Sequence, residues 1–249
     1  TSQLNLGMGY QAGQNVTSGA CNIAIGRNTL NSVTTGSYNI ALGQYAGCGL
    51  QANHSGAIAI GCQAMQGAHY SAATANMENI AIGNQAISSN YCGINNIAVG
   101  YRSLYSNYCG NYNVGMGYEA LRQTSCGQYN TGMGHCVLRS NTSGTGNTAQ
   151  GSFALRGNTT GLCNTSVGYT SMYAISTGNY NTAVGTEALY GVADVSNGSY
   201  NTAMGYQSLR LLCSGQYNTS IGVRSQCLNC SGNFNTSLGF DSLCANVSG

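Results

Sequence analysis

The residues best equipped for chemistry in this chain are its 12 cysteines, and their spacing limits what that chemistry is. Cys213 and Cys230 lie 17 residues apart, as do Cys227 and Cys244, and Cys92, Cys109 and Cys126 form an evenly spaced trio with the same step. If 17 residues make one turn of a repeat, equivalent residues on stacked strands sit about 4.8 Å apart. That lies inside the roughly 4.4–6.8 Å Cα range of a disulfide. Each bond would close a short loop and contribute roughly 3 kcal/mol in the chain-entropy picture. The spacing therefore predicts Cys213–Cys230, Cys227–Cys244 and one pair within the 92/109/126 trio, with the odd thiol unpaired or crossing to another chain. An oxidising, extracellular location would follow. The competing reading is a column of half-buried thiols, because side chains on neighbouring parallel strands point the same way.

Other reactive groups are sparse. Glu78, Glu119, Glu187, Asp194 and Asp241 are far apart in the repeat register, so no two form a catalytic carboxylate pair. His54, His69 and His135 fall at unrelated repeat positions and imply no shared metal site. Cys227-x-x-Cys230 lacks a second ligand pair, and the Gly-Met-Gly runs at 115–117 and 132–134 lack the lysine and helix of a phosphate loop. No enzyme, metal or cofactor is expected. One basic feature stands out: Arg122, Arg139 and Arg156 recur at a single repeat position, with Arg210 further on. They read either as a solvated edge or as a binding strip for an anionic polymer or a carboxylate-bearing neighbour. The chain carries only 7 basic and 5 acidic residues among 249, a net charge of +2, which excludes a nucleic-acid surface. No apolar run approaches the roughly 20 residues of a membrane span, and Thr1 opens no basic-then-apolar leader.

The elements that carry these residues are set by the repeat. A motif of Asn, Thr or Ile, a small residue, an aliphatic residue and Gly recurs from Gly9 to Gly239, usually every 17 residues. Five extra residues interrupt it between Gly61 and Gly83, and three between Gly185 and Gly205. Such regularity predicts one β-solenoid domain over 1–249. Two glycines per unit and no i, i+3, i+4 stripe argue against helix. Each unit is expected to form one coil: a strand over positions 1–4, a corner at the motif glycine, a second strand near positions 6–10, and a loop ending at a second glycine in position 15. All coils run the same way, so the sheets are parallel.

Two apolar columns are expected to fill the interior. Position 4 holds Ile25, Leu42, Ile60, Ile82, Val99, Met116, Met133, Val167, Val184, Met204, Ile221 and Leu238. Position 9 holds Leu104, Leu121, Leu138, Leu155, Leu189 and Leu209. The position-1 asparagines, Asn22, Asn39, Asn79, Asn96, Asn113, Asn130, Asn147, Asn164, Asn181, Asn201, Asn218 and Asn235, are expected to stack as an amide ladder. Small residues at positions 3 and 8 fit either a thin coil interior or close approach by another chain. Position 2 changes along the chain, from aliphatic through Val114 to Thr from Thr131 onward. Tyr recurs just before the ladder Asn, at Tyr38, Tyr112, Tyr129, Tyr180, Tyr200 and Tyr217. Of the Asn-x-Ser/Thr sequons, those at Asn141, Asn158, Asn229 and Asn246 share loop position 12 and are expected to be accessible, whereas Asn164, Asn218 and Asn235 are ladder residues.

The string Gly-Ser-Tyr-Asn-Thr-Ala-Met-Gly-Tyr-Gln-Ser-Leu at 198–209, like 178–189, resembles the head repeats of YadA-like trimeric autotransporter adhesins. It is equally similar to the Asn-Thr-Ala-Val-Gly repeats of phage and viral tail-fibre proteins. The resemblance spans essentially the whole chain. It implies a left-handed parallel β-roll and association of three chains. The present coil is longer than the YadA-type coil, and its cysteine content is unusual for such adhesins. The expected function is an extracellular structural fibre or adhesin shaft on a cell or virion surface, self-associating as a homotrimer or an end-to-end filament and touching surface carbohydrate through Tyr and Asn. A phage or viral receptor-binding fibre is the alternative. Ice binding by the Thr ladder is a third reading.

Overall fold

The computed structural model describes residues 4–67, 78–192 and 196–249. The chain is an all-β parallel β-solenoid, and no helix occurs among the described residues. It packs as two compact units, Thr1–Gly127 and Gln128–Gly249. The first holds β1 (Leu6–Met8), β2 (Ile23–Ile25), β3 (Ile40–Leu42), β4 (Ile58–Ile60), β5 (Ile80–Ile82), β6 (Ile97–Val99) and β7 (Val114–Met116). The second holds β8 (Thr131–Met133), β9 (Thr148–Gln150), β10 (Thr165–Val167), β11 (Thr182–Val184), β12 (Thr202–Met204), β13 (Thr219–Ile221) and β14 (Thr236–Leu238). Within each unit every strand pairs in parallel with its sequence neighbours. The register is kept across both insertions, with Ile58 opposite Ile80 and Thr182 opposite Thr202. The unit boundary falls where position 2 changes from aliphatic to Thr.

Each strand is only positions 2–4 long, and its parity decides the interior. Successive strand residues point to opposite faces. The middle one, as at Ala24, Ala98, Ala149 and Ala203, points inward and is buried. Positions 2 and 4 therefore point outward together. The expectation that position 4 fills the core is overturned: Ile25, Leu42, Ile60, Val99, Val167 and Val184 are only partly covered, and Ile82, Met116, Met133, Met204, Ile221 and Leu238 are exposed. The physical reason is width. The small residues at positions 3 and 8 face each other across a thin coil, and the position-9 leucines fill what remains. Leu104, Leu121, Leu138, Leu155, Leu189 and Leu209 are fully buried, as are Ala120, Ala154 and Ala188 of position 8. The small residues line the interior and do not serve a partner chain's approach.

The second strand expected over positions 6–10 does not form. The chain instead makes successive turns there, with the residues at positions 7 and 9 in the left-handed region, for instance Arg102 at φ 52° and Leu104 at φ 49°. Non-glycine residues enter that region at a penalty of order 1 kcal/mol each. Inter-coil hydrogen bonds offset it: Arg102 N–H donates to Asn84 O at 3.1 Å and Leu104 N–H to Ala120 O at 2.9 Å. The corner at position 5 demands glycine. Gly151 has φ 125°, and a Cβ there would lie 2.5 Å from the Gly168 carbonyl oxygen of the next coil.

The position-1 asparagines form the amide ladder, in which an Asn Oδ1 accepts from the backbone N–H of the equivalent residue on the next coil, Ala57 in the case of Asn39, and in most Asn–Asn rungs also from its Nδ2. Asn164 Nδ2 donates to Asn147 Oδ1 (3.1 Å) and to Gly178 O (2.8 Å), and Asn164 Oδ1 accepts from Asn181 N–H (2.9 Å). Position 12 also points inward, carrying Val33, Leu50, Ile175 and Leu212 on some coils and asparagines on others, and two pairs of asparagines on consecutive coils bond there. Asn107 donates to Asn90 Oδ1 (3.2 Å) and Asn158 to Asn141 Oδ1 (2.7 Å). Asn141, Asn158 and Asn229 are thus fully buried, and Asn246 is half-buried, which corrects the expectation of accessible sequons.

Candidate functional site

The three disulfides join the cysteines that the spacing singles out. Cys92–Cys109, Cys213–Cys230 and Cys227–Cys244 each span 17 residues, with Cα separations of 4.8, 4.7 and 4.9 Å. Cys126, the remaining member of the trio, carries an exposed thiol. Cys227 and Cys230 are held by different partners and are not a ligand pair. Among the described residues no cluster of three or more His, Cys, Asp or Glu side chains is placed to hold a metal. Three such staples suggest an oxidising environment. No helix among the described residues is long and apolar enough to cross a membrane.

Three of the five acids, Glu119, Glu187 and Asp241, lie against arginines. Glu187 Oε2 lies 2.8 Å from Arg210 Nε and accepts from Gln207 Nε2 at 2.9 Å, and these two contacts hold its carboxyl below the usual range. Glu119 lies 3.4 Å from Arg122, and Asp241 lies 3.1 Å from Arg224. The proposed Arg strip is similarly engaged. Arg122 lies over the Tyr105 ring, and Arg156 donates to the Tyr173 hydroxyl at 2.8 Å while lying over that ring. Arg139 occupies the same repeat position in the second unit. His54 is fully buried, with Nδ1 accepting from Gln51 N–H at 2.9 Å. Burial pushes its pKa down to about 4. His135 packs edge-on against Phe153, with ring centroids 5.0 Å apart. His69 and Asp194 lie outside the described residues.

The outward face of the strands is one surface open to a partner. In the first unit it presents Leu6, Ile23, Ile40, Ile58, Ile80, Ile97 and Val114 beside the aliphatic position-4 column. In the second unit it presents Thr131, Thr148, Thr165, Thr182, Thr202, Thr219 and Thr236 beside Met, Val, Gln, Ile and Leu. These two columns contain no charge. Aromatic rings border them at the position just before the ladder Asn. Tyr180, Tyr200, Tyr217 and Phe234 stack in sequence at 5.0, 4.9 and 5.1 Å between centroids, with planes within 12°. Their side chains are about half exposed or more, yet the faces of Tyr200 and Tyr217 are covered by the rings on either side. Ring edges and hydroxyls, not ring faces, are presented. Stacking of sugar rings on this column is therefore disfavoured, although Tyr and Asn composition alone suggests it. Position 2 signals this face in the sequence, whereas the aliphatic column at position 4 reads as core.

Comparison with protein-family models, with curated proteins and with solved structures found no match.

Proposed function

We propose that the chain is an extracellular structural fibre or adhesin shaft, without enzymatic activity, that associates with copies of itself through the outward face of its strands. One observation carries this reading. The strand face turns outward uncharged columns rich in Ile, Met, Val and Leu, whereas the Ala, Leu and Asn columns behind it are buried. A contiguous apolar surface of this kind marks an association site in soluble proteins. A homotrimer fits the resemblance of the repeats to adhesin heads and tail fibres. The disulfides and the Asn ladder suit a chain that persists outside cells. Contact with a carbohydrate-bearing surface would run through Thr, Tyr and Asn hydrogen bonds.

Sedimentation of the purified chain tests the reading. The native protein should sediment as an oligomer, and Ile97→Lys or Met204→Lys should shift it to monomer with an unchanged circular dichroism spectrum. A native protein that is monomeric at working concentration refutes it. The viral or phage fibre alternative differs in context and not in this chemistry. Ice binding is favoured by one observation, the outward row of seven threonines on parallel strands of the second unit. Thermal hysteresis measured at high protein concentration decides that reading, and a null result removes it.

A further inference from the structure

We propose that the stacked tyrosines are oxidative cross-linking sites, which couple neighbouring coils through dityrosine bonds. The proposal rests on ring geometry and goes beyond the fibre reading. Tyr91 and Tyr108 stack with centroids 4.8 Å apart and planes 4° from parallel. In the second unit Tyr180, Tyr200 and Tyr217 form a run of three at 5.0 and 4.9 Å, closed by Phe234. All five tyrosines are at least 39% exposed, so a one-electron oxidant reaches them.

The chemistry follows from that placement. Each phenol loses one electron and one proton to give a phenoxyl radical, whose unpaired spin is shared with the ring carbons ortho to oxygen. Two such carbons on neighbouring rings form a carbon–carbon bond, and each then passes its hydrogen to oxygen to restore the phenol. Two tyrosines therefore give one dityrosine, two protons and two electrons. Hydrogen peroxide, acting through a haem peroxidase, takes up both and becomes two waters. Radical coupling is ordinarily limited by encounter of two radicals; here the parallel register holds the partners in place, the advantage of proximity. Phe234 cannot form a phenoxyl radical, so Tyr217 has Tyr200 as its coupling partner in this column. In the second unit the bond would staple rungs beside the strand face, away from the disulfides, whereas a Tyr91–Tyr108 bond would lie next to Cys92–Cys109; both would resist reduction. Tyr38 is the internal contrast: its side chain is 67% exposed, and the equivalent residues on the coils before and after it are Cys21 and Gly56.

The test is oxidation of the dilute chain with peroxidase and hydrogen peroxide after alkylation of its thiols. Blue dityrosine fluorescence should appear in monomer-sized protein under denaturing conditions, with two hydrogens lost per bond by intact mass. Peptide mapping should join Tyr91 to Tyr108 and Tyr200 to Tyr180 or Tyr217. Tyr200→Phe keeps a ring in the stack but leaves no adjacent phenols, so the cross-linked peptides of that column should disappear while Tyr91–Tyr108 persists. Tyr38→Phe should leave the yield unchanged. Cross-links that join separate chains only, a yield indifferent to Tyr200→Phe, or Tyr38 as the main site would overturn the proposal.

Discussion

Replacing Asn164 by Ala removes one rung of the amide ladder without touching the backbone path. The side chain is fully buried and makes four hydrogen bonds. Two of its partners keep other contacts: Asn147 Oδ1 still accepts from the backbone N–H of residue 164, and Asn181 Nδ2 still donates to Gly198 O at 2.8 Å. The other two are the Gly178 carbonyl and the Asn181 N–H, both buried, and they lose the partners described above. A buried polar group left unpaired costs about 1–3 kcal/mol, so the pair gives a loss of about 4 kcal/mol. The comparison is Asn197→Ala, an exposed loop asparagine outside the ladder, where about 0.5 kcal/mol or less is expected. Urea unfolding followed by circular dichroism measures both, and amide exchange at Asn181 reports the rung directly. Equal stability loss in the two variants, or an Asn181 amide as protected as in the parent, would refute the ladder as a stabilising element.

Four further outcomes are expected. Cys213→Ser combined with Cys230→Ser should lower stability by about 3 kcal/mol, the loop-closure contribution of a 17-residue ring. In the native protein Cys21, Cys126 and Cys163 should alkylate readily and Cys48 slowly, because burial pushes its thiol up to about 11; twelve reactive thiols would contradict the disulfides. His54 is held below its ordinary 6.5, at about 4, so the folded state binds fewer protons than the unfolded chain. Stability should therefore be full above pH 6.5 and fall by about 3 kcal/mol as pH drops to about 4. In His54→Gln that part of the pH dependence, read by urea midpoints, should vanish. Leu121→Ala, in the core, should cost about 3 kcal/mol, whereas Met116→Ala on the outward face should cost under about 1 kcal/mol; equal values would refute the assignment of faces.

Much of this architecture is legible in the residue spacing. The strands at positions 2–4, their parallel register, the Asn ladder, the buried Leu column and the Cys213–Cys230 and Cys227–Cys244 pairs follow from a 17-residue step, which leaves open which two of Cys92, Cys109 and Cys126 pair. Position 4 misleads because an aliphatic column looks the same whether it faces a core or a partner. The parity argument was nonetheless present: positions 2 and 4 share a face, and Thr131 to Thr236 at position 2, with Gln150 at position 4, belong outside. Of the three strand positions, 2 to 4, only position 3 never carries anything larger than Ala or Ser. The turns over positions 6–10 are less readable. Leu104 and Arg102 have no intrinsic preference for positive φ, and the conformation is imposed by bonds to the coils on either side. The same holds for the position-12 asparagines, whose polarity suggests a loop tip until the facing carbonyl, such as Gly144 O for Asn141, is in view.

The ladder geometry also bears on how such a chain changes over generations. Each rung takes from the coil before it what it offers to the coil after it. Unequal recombination that adds or deletes a whole coil therefore joins compatible surfaces and leaves the surviving contacts intact. A single-residue deletion inside positions 1–4 does the reverse, since it swaps the inward and outward sides of that rung. The two interruptions mark where irregular length is absorbed, because Ile58 still meets Ile80 and Thr182 still meets Thr202 across them. Copy number is thus open to drift, while reading frame within the rung is held by the hydrogen-bond pattern itself.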